Sequence, residues 1–102
     1  MFRKTRHIHF IGIGGIGMSG MAELLQKLGF QISGSDSALS EKTSQLSGLG
    51  IQVYEGHDGS NVLDSDVVVY SSAVPKDNPE IVEAIKQNIP VIRRAEMLGE
   101  LL

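Results

Sequence analysis

A glycine-rich segment, Gly12-Ile13-Gly14-Gly15-Ile16-Gly17, does most to restrict the folds open to this chain. It follows a short apolar run at residues 7–13 and precedes apolar residues at helical spacing from Met18 to Leu28, which predicts a strand, a tight turn and a helix in succession. In such a turn the first glycine permits the bend, the second lets backbone approach a phosphate, and the third lets the helix pack on the strand. The pattern therefore predicts a Rossmann-like nucleotide site, with a turn needed only for packing as the alternative.

The rest of the chain continues to alternate predicted strands with predicted helices. Further strands are predicted at residues 31–36, 51–54, 66–70 and 90–93, and further helices from Ser40 to about Leu49, from Asn78 onward and from Ala95 to Leu102. Ser40 and Asn78 have the side chains of N-caps, and Ile81, Val82 and Ile85 are expected to form the buried stripe of the third helix. Alternation of this kind predicts an α/β fold: a doubly wound, five-stranded parallel sheet of order 3-2-1-4-5 with helices on both faces. We expect residues 1–102 to form a single domain.

Composition narrows the classes of function. With 41% hydrophobic and 21% charged residues the chain is typical of an ordinary globular domain. A net charge of −3 argues against a general nucleic-acid binder, and the lack of cysteine excludes disulfides and thiolate zinc sites. No apolar segment is long enough to cross a bilayer, so we expect a cytoplasmic protein with no nucleic-acid or membrane partner.

Polar residues follow two strands that should flank the first. Asp36 ends the second strand, roughly 20 residues beyond Gly17, where an acid commonly accepts hydrogen bonds from a ribose. Ser71, Ser72 and Ala73 follow the fourth strand, which is adjacent to the first in the predicted order. Because ligands of open α/β sheets bind beyond the carboxyl ends of the strands, these residues are candidates for the site. A helix cap at Asp36 and simple turn chemistry at the serines are the alternatives.

Histidines and arginines provide weaker candidates. His7 and His9 point the same way along the first strand and could share a metal, but no third ligand is near, which favours ordinary hydrogen-bonding histidines. His57 follows the third strand and could approach a ligand or lie solvated in its loop. Arg93 and Arg94 could offset phosphate charge or form a surface pair.

Four segments of the chain together resemble the amino-terminal domain of ligases of the bacterial Mur ligase family. They are HIHFIGIGGIGMSGMAE, SGSD, VVVYSSAVPKDNPEI and IPVIRRAEML, and they cover almost the whole chain. The most specific parts run from Gly12 to Glu23 and from Ser71 to Glu80.

The resemblance implies that this domain binds the UDP part of UDP-N-acetylmuramic acid. The pyrophosphate would lie over Gly14 to Ser19, and the uridine near Asp36 and Ser71 to Ala73. The implied substrate-binding residues are Gly12, Gly14, Gly15, Ile16, Gly17, Met18, Ser19, Asp36, Ser71, Ser72 and Ala73, with His57 and Arg93 as further candidates.

For the full-length protein the resemblance implies an ATP-dependent ligase of peptidoglycan precursor synthesis, in which L-alanine is joined to the sugar nucleotide. ATP and Mg²⁺ would bind to other domains, since residues 1–102 contain no G-x-x-x-x-G-K-[ST] motif. No catalytic residue, cofactor site or metal site is expected in this segment, which should be inactive alone.

Three other functions remain open from the sequence. A nicotinamide-binding domain of an oxidoreductase or NAD sensor would also use the glycine turn and Asp36. The UDP-binding domain of a murein peptide ligase would recognise the same sugar nucleotide. The third alternative is a nucleotide-binding interaction module without chemistry.

Overall fold

The computed structural model describes residues 5–94 and 96. The strands are β1 (His7–Ile11), β2 (Gln31–Asp36), β3 (Gln52–Glu55), β4 (Val67–Tyr70) and β5 (Val91–Arg93). The helices are α1 (Met18–Lys27), α2 (Glu41–Gly48) and α3 (Pro79–Lys86), and a short 3-10 helix covers Gly59–Val62. The five strands pair in parallel in the order β3-β2-β1-β4-β5, which confirms the predicted doubly wound sheet.

Alternate residues of the central strands face two separate apolar clusters. Ile8 and Phe10 of β1 belong to the cluster that contains residues of α1 and α2, whereas Ile11 belongs to the cluster that contains residues of α3 and the 3-10 helix. Side chains alternate between the faces of a strand, so both faces of the sheet are covered. Helices on both faces were predicted and are confirmed.

Side-chain caps start α2 and α3 where the sequence predicts. The Ser40 hydroxyl accepts the N–H of Thr43 and the Thr43 hydroxyl accepts the N–H of Ser40, which completes a capping box. At α3, the Asn78 side chain accepts the N–H of Glu80, and Pro79 occupies the first helical position.

The buried stripe predicted for α3 is partly wrong. Ile81 is buried as expected, but Val82 and Ile85 are exposed, and the other buried residues of the helix are Glu80 and Ala84. On this face Ile81 and Ala84 pack in an apolar cluster, and the Glu80 carboxylate hydrogen-bonds to His9 and Ser35, contacts that apolar spacing does not reveal.

Other boundaries differ from the prediction by one or two residues. The largest change is that β1 ends at Ile11, because Gly12 adopts a left-handed φ of 78° and the N–H groups of Gly12 and Ile13 both turn to the Ser35 carbonyl. The 3-10 helix was not predicted, and Asp58 caps it through the N–H of Ser60. The helix predicted from Ala95 to Leu102 lies outside the described residues, apart from Glu96.

The register of the sheet brings the carboxyl ends of four strands together. Ile11 is opposite Ser35 of β2 and Tyr70 of β4, and Tyr70 is opposite Arg93 of β5. The segments that follow these residues therefore share one edge of the sheet. No helix in the described ranges is both long and apolar enough to cross a membrane.

Candidate functional site

Most backbone N–H groups of the glycine turn donate hydrogen bonds to other groups of the protein. Gly14 donates to the Asp36 carboxylate at 2.9 Å, Gly15 to the Gly12 carbonyl at 2.9 Å, and Met18 to the Gly15 carbonyl at 3.1 Å. Within the described residues, the N–H groups of Ile16 and Gly17 donate no hydrogen bond. These two groups precede the first turn of α1, where the helix dipole favours an anion.

Asp36 lies beside the glycine turn and accepts a hydrogen bond from it. Its Oδ2 atom accepts the Gly14 N–H at 2.9 Å, and its Oδ1 atom is 3.4 Å from the Ala38 N–H. A Cβ atom at Gly14 would lie 2.9 Å from both Asp36 Oδ2 and Thr43 Cγ2. The absence of a side chain at Gly14 therefore lets the turn pack against β2 and α2.

Two adjoining clefts lie beyond the carboxyl edge of the sheet and share Gly15, Ser71 and Ala73. The first cleft has a volume of about 550 Å³ and is lined by Gly15, Ile16, Met18, Ser71, Ser72, Ala73, Arg93 and Arg94. The second cleft has a volume of about 390 Å³ and is lined by Gly12, Gly15, Asp36, Ser37, His57, Ser71, Ala73, Val74, Pro75 and Asn78.

These clefts bring together ten of the thirteen residues that the sequence proposed for the site. The other three residues do not line either cleft. Gly14 donates its N–H to the Asp36 carboxylate, and Gly17 lies against the Arg94 guanidinium. Ser19 is buried in α1. A separate groove between α3 and β5, of about 520 Å³, contains none of the proposed residues.

Two arginines, Arg93 and Arg94, line the first cleft. The Arg94 guanidinium lies over Gly17, with Nη1 3.2 Å from the position of a Cβ atom there, and Arg93 forms an ion pair with Glu96 at 3.1 Å. The first turn of α1 contains no acidic residue. Although the chain has a net charge of −3, this end of the sheet can attract an anion.

Ile16 is fully exposed at the tip of the glycine turn. Its side chain lines the first cleft together with Met18, which is buried. An exposed isoleucine beside free N–H groups gives the cleft both an apolar wall and hydrogen-bond donors, as small-molecule sites require.

The structure also contains a buried polar network that was not predicted. Glu80 and His9 are fully buried and lie 2.6 Å apart, Ser35 donates to Glu80 at 2.7 Å, and His57 lies 2.8 Å from Ser35. His9 also contacts Ser33 at 2.8 Å, which confirms a hydrogen-bonding role for this histidine.

A sequence signal for this network existed. H-x-H in β1 and S-x-S in β2 place His9 opposite Ser33 on one face of a buried strand pair, where polar groups need partners. Glu80 is the acidic residue in the first turn of α3, a position that is usually exposed, so its inward direction could not be inferred.

Comparisons with known proteins are consistent in the family they indicate. The pattern of the Mur ligase family, catalytic domain, matches residues 7–102. The chain is 62% identical over its whole length to the UDP-N-acetylmuramate--L-alanine ligase of Syntrophus aciditrophicus and 57% identical to that of Desulfotalea psychrophila. It spans only 21% and 22% of the lengths of these relatives.

Solved structures give the same result. A UDP-N-acetylmuramate-alanine ligase from Thermotoga maritima superposes with a TM-score of 0.89 at 39% identity, over 93% of this chain and 22% of that one. A UDP-N-acetylmuramate:L-alanyl-gamma-D-glutamyl-meso-diaminopimelate ligase from Neisseria meningitides gives 0.82 at 35% identity, over 94% and 31%. Shikimate dehydrogenase from Aquifex aeolicus, at 16% identity and a TM-score of 0.56 over 93% and 44%, shares the fold alone.

Proposed function

The chain belongs to the Mur ligase family, and from this premise we propose that its two clefts bind the UDP part of UDP-N-acetylmuramic acid. In the proposal, residues 1–102 are the nucleotide-binding domain of a longer, cytoplasmic ligase that joins L-alanine to this sugar nucleotide in peptidoglycan precursor synthesis. The observation that carries it is the juxtaposition of two unused N–H groups, Ile16 and Gly17, with the guanidinium of Arg94 at the start of α1.

The first cleft, which we call the phosphate cleft, suits a pyrophosphate. Backbone N–H donors and the α1 dipole stabilise the anion without a metal, and Arg94 adds a charge-assisted hydrogen bond. Ser71 and Ser72 also line this cleft and offer hydroxyl groups to the remaining phosphate oxygens. In the proposal, the pyrophosphate lies over the glycine turn.

The second cleft, which we call the uridine cleft, suits the nucleoside. The Asp36 carboxylate keeps one oxygen, Oδ1, with only a long contact of 3.4 Å to Ala38, so this oxygen can accept from a ribose hydroxyl. His57 lines the same cleft. Ser71 and Ala73 border both clefts and connect the two parts of the ligand.

ATP and Mg²⁺ belong, in this proposal, to the parts of the ligase beyond these 102 residues. The chain contains no P-loop motif, and the described residues contain no cluster of three metal-ligating side chains. This segment therefore supplies binding and orientation of the sugar nucleotide rather than the chemical step.

A murein peptide ligase is the second candidate. The structural similarity to the ligase from Neisseria meningitides, whose name includes an L-alanyl-gamma-D-glutamyl-meso-diaminopimelate peptide, supports this candidate. The identities of 57–62% to L-alanine ligases favour the first candidate. Assay of the full-length ligase with L-alanine and with the tripeptide separates them.

Binding is tested by an amide NMR titration of the 102-residue chain with UDP-N-acetylmuramic acid, UDP and NADH in parallel. We expect the two UDP compounds to shift Gly15 to Gly17, Asp36 and Ser71 to Ala73, while amides around Ile85 in the separate groove stay unchanged. A response to NADH alone would instead support an oxidoreductase or NAD sensor. No response to any of the three would refute nucleotide binding.

A further inference from the structure

A buried carboxylate connects the interior of the sheet with the uridine cleft. Glu80 is fully buried, and its Oε2 atom accepts from the backbone N–H of Asp58 and the side-chain amide of Asn61, both at 3.0 Å. Its Oε1 atom lies 2.6 Å from His9 Nε2 and 2.7 Å from Ser35 Oγ. The proposed function assigns no role to Glu80.

The Glu80 carboxyl is ionised at neutral pH. Burial by itself would raise the pKa of Glu80, but the hydrogen bond and positive charge of His9, with hydrogen bonds from Asn61 and Ser35, hold this pKa below its ordinary value. An ionised carboxylate can only accept hydrogen bonds. Both His9 Nε2 and Ser35 Oγ must therefore donate to it.

The direction of the hydrogen bond from Ser35 to Glu80 determines which nitrogen of His57 carries a proton. The single hydrogen of the Ser35 hydroxyl is given to Glu80, so Ser35 Oγ must accept from His57 Nδ1, which lies 2.8 Å away. In a neutral ring, a proton on Nδ1 leaves a lone pair on Nε2. This second nitrogen has no partner among the described residues, and the ring lines the uridine cleft.

We propose that Glu80, acting through Ser35, is a positioning residue that holds His57 in its Nδ1–H tautomer and so presents a hydrogen-bond acceptor to the uridine cleft. His57 Nε2 and Asp36 Oδ1 then form a pair of acceptors. Two acceptors suit the two hydroxyl donors of a ribose and disfavour a phosphate group. This assignment of the ribose rests on the proposed function, whereas the tautomer does not.

The other branch of the network shows how Glu80 keeps its charge. Four hydrogen bonds run in sequence from Glu80 through His9, Ser33 and His7 to the Asp64 carbonyl. Both ends of this series only accept, so four hydrogens are needed, whereas two neutral imidazoles and one hydroxyl supply three. One additional proton must be held along the branch, where it balances the negative charge of Glu80.

Replacement of Glu80 by glutamine keeps the shape of the side chain but reverses the direction of its hydrogen bond with Ser35. The donors from Asp58 and Asn61 require the glutamine oxygen in the Oε2 position, which places its amide nitrogen in the Oε1 position. That nitrogen then donates to Ser35, and Ser35 donates in turn to His57 Nδ1. The amide also supplies the fourth hydrogen of the branch through His9, so every buried group stays paired and the variant is expected to fold.

The test is the tautomer of His57, read from two-bond ¹H–¹⁵N spectra of the ligand-free protein at about pH 8.5, about two units above the ordinary pKa of histidine. We expect Nδ1–H in the wild type and Nε2–H in Glu80→Gln. Ser33→Ala is the matched control, because it interrupts the branch to His7 but should leave His57 as in the wild type. Nε2–H in the wild type, or one tautomer in both proteins, would overturn the proposal.

A second variant keeps the test independent of whether Glu80→Gln folds. Ser35→Ala removes the acceptor of the His57 Nδ1–H, and the nearest carboxylate oxygen of Glu80 is 3.7 Å from that nitrogen. We expect the Nε2–H tautomer to become populated in this variant. An unchanged Nδ1–H tautomer would show that Ser35 does not transmit the effect.

The ribose assignment is tested with UDP and 2′,3′-dideoxy-UDP as probes. Glu80→Gln should weaken UDP binding about tenfold, the equivalent of one hydrogen bond, and should leave binding of the dideoxy probe unchanged. Equal UDP affinities despite a changed tautomer would refute the ribose contact. If the wild type binds no UDP, the proposed function fails, and the tautomer measurement still decides the role of Glu80.

Discussion

At the scale of single residues, the glycines of the turn meet different requirements. Gly14 lacks a side chain because Asp36 and Thr43 occupy the space that a Cβ atom would need. Gly12 and Gly17 have φ values of 78° and 80°, which favour glycine for backbone reasons. The glycine turn therefore packs against β2 and α2 and also leaves N–H groups available to an anion.

Arg94 tests the phosphate part of the proposed site. We expect Arg94→Gln to weaken UDP binding about tenfold, because a charge-assisted hydrogen bond to the pyrophosphate is lost, and to leave uridine binding unchanged. Isothermal titration calorimetry measures both ligands. Lys86→Gln at the end of α3 removes the same charge far from the clefts and should have no effect; an equal loss in that variant would reduce the role of Arg94 to general electrostatics.

Asp36 tests the nucleoside part of the site. In Asp36→Asn the amide oxygen can still accept the Gly14 N–H, while the amide nitrogen replaces the cleft-facing acceptor Oδ1. We expect UDP affinity to fall by about tenfold and the free energy of unfolding to change by less than about 1 kcal/mol. Calorimetry and urea unfolding measure these two quantities. A large loss of stability with unchanged affinity would identify Asp36 as a residue of the turn only.

At the scale of elements, the small residues of β2 determine how closely the glycine turn packs against this strand. Gly34 lies under Ile13, whose Cβ atom is 2.6 Å from the position of a Cβ atom on Gly34. Ser33 and Ser35 turn to the other face, where they hydrogen-bond to His9 and Glu80. Strand β2 therefore packs closely against Ile13 on one face and forms hydrogen bonds to buried polar side chains on the other.

A pair of glycine substitutions tests this packing. Gly34→Ala forces Ile13 to move, and we expect the free energy of unfolding to fall by about 1–3 kcal/mol, the usual cost of overpacking. Gly20→Ala on α1 is the matched control, since a Cβ atom there meets nothing within 4 Å and should raise helix stability by about 0.5–1 kcal/mol. Urea unfolding compares the two. Equal effects would show that Ile13 is free to shift.

At the scale of the whole molecule, hydrogen bonds to three acidic side chains lower their pKa values. Backbone N–H groups, that of His7 first, hold the pKa of Asp66 below its ordinary value of 3.8. Hydrogen bonds from Ser60 lower the pKa of Asp58. Burial would raise the pKa of Glu80, but the hydrogen bond and charge of His9, together with hydrogen bonds from Asn61 and Ser35, lower it below its ordinary value of 4.5. Each carboxyl binds protons more weakly when folded than when unfolded.

Stability should therefore decrease in acid. The ionised groups contribute stability above their ordinary pKa values, and that stability is lost as the pH falls through the lower folded values. We expect the free energy of unfolding to decrease as the pH falls below about 4.5. Urea unfolding from pH 7 to 3 measures this. Glu80→Gln, which has one carboxyl fewer, should show a shallower decrease, and a flat wild-type profile would contradict the expectation.

The sequence by itself determined the order of elements, because hydrophobic periodicity, the caps at Ser40 and Asn78 and the glycine turn are local signals. Parallel pairing and right-handed crossovers then restricted the sheet to the order that is observed. The same rules brought Asp36 and Ser71 to the first strand, so most candidate site residues could be named in advance.

Tertiary structure alone decided which polar groups pair. The direction of Glu80, the exposure of Val82 and Ile85 and the contact of Gly14 with Asp36 depend on where α3 and β2 lie against β1. A hydrogen bond between residues distant in sequence leaves no periodic trace, because it requires only two side chains at the right place in space. The family could thus be read from local pattern, and so could the proximity of most candidate site residues, whereas the hydrogen-bond network that includes His57 could not.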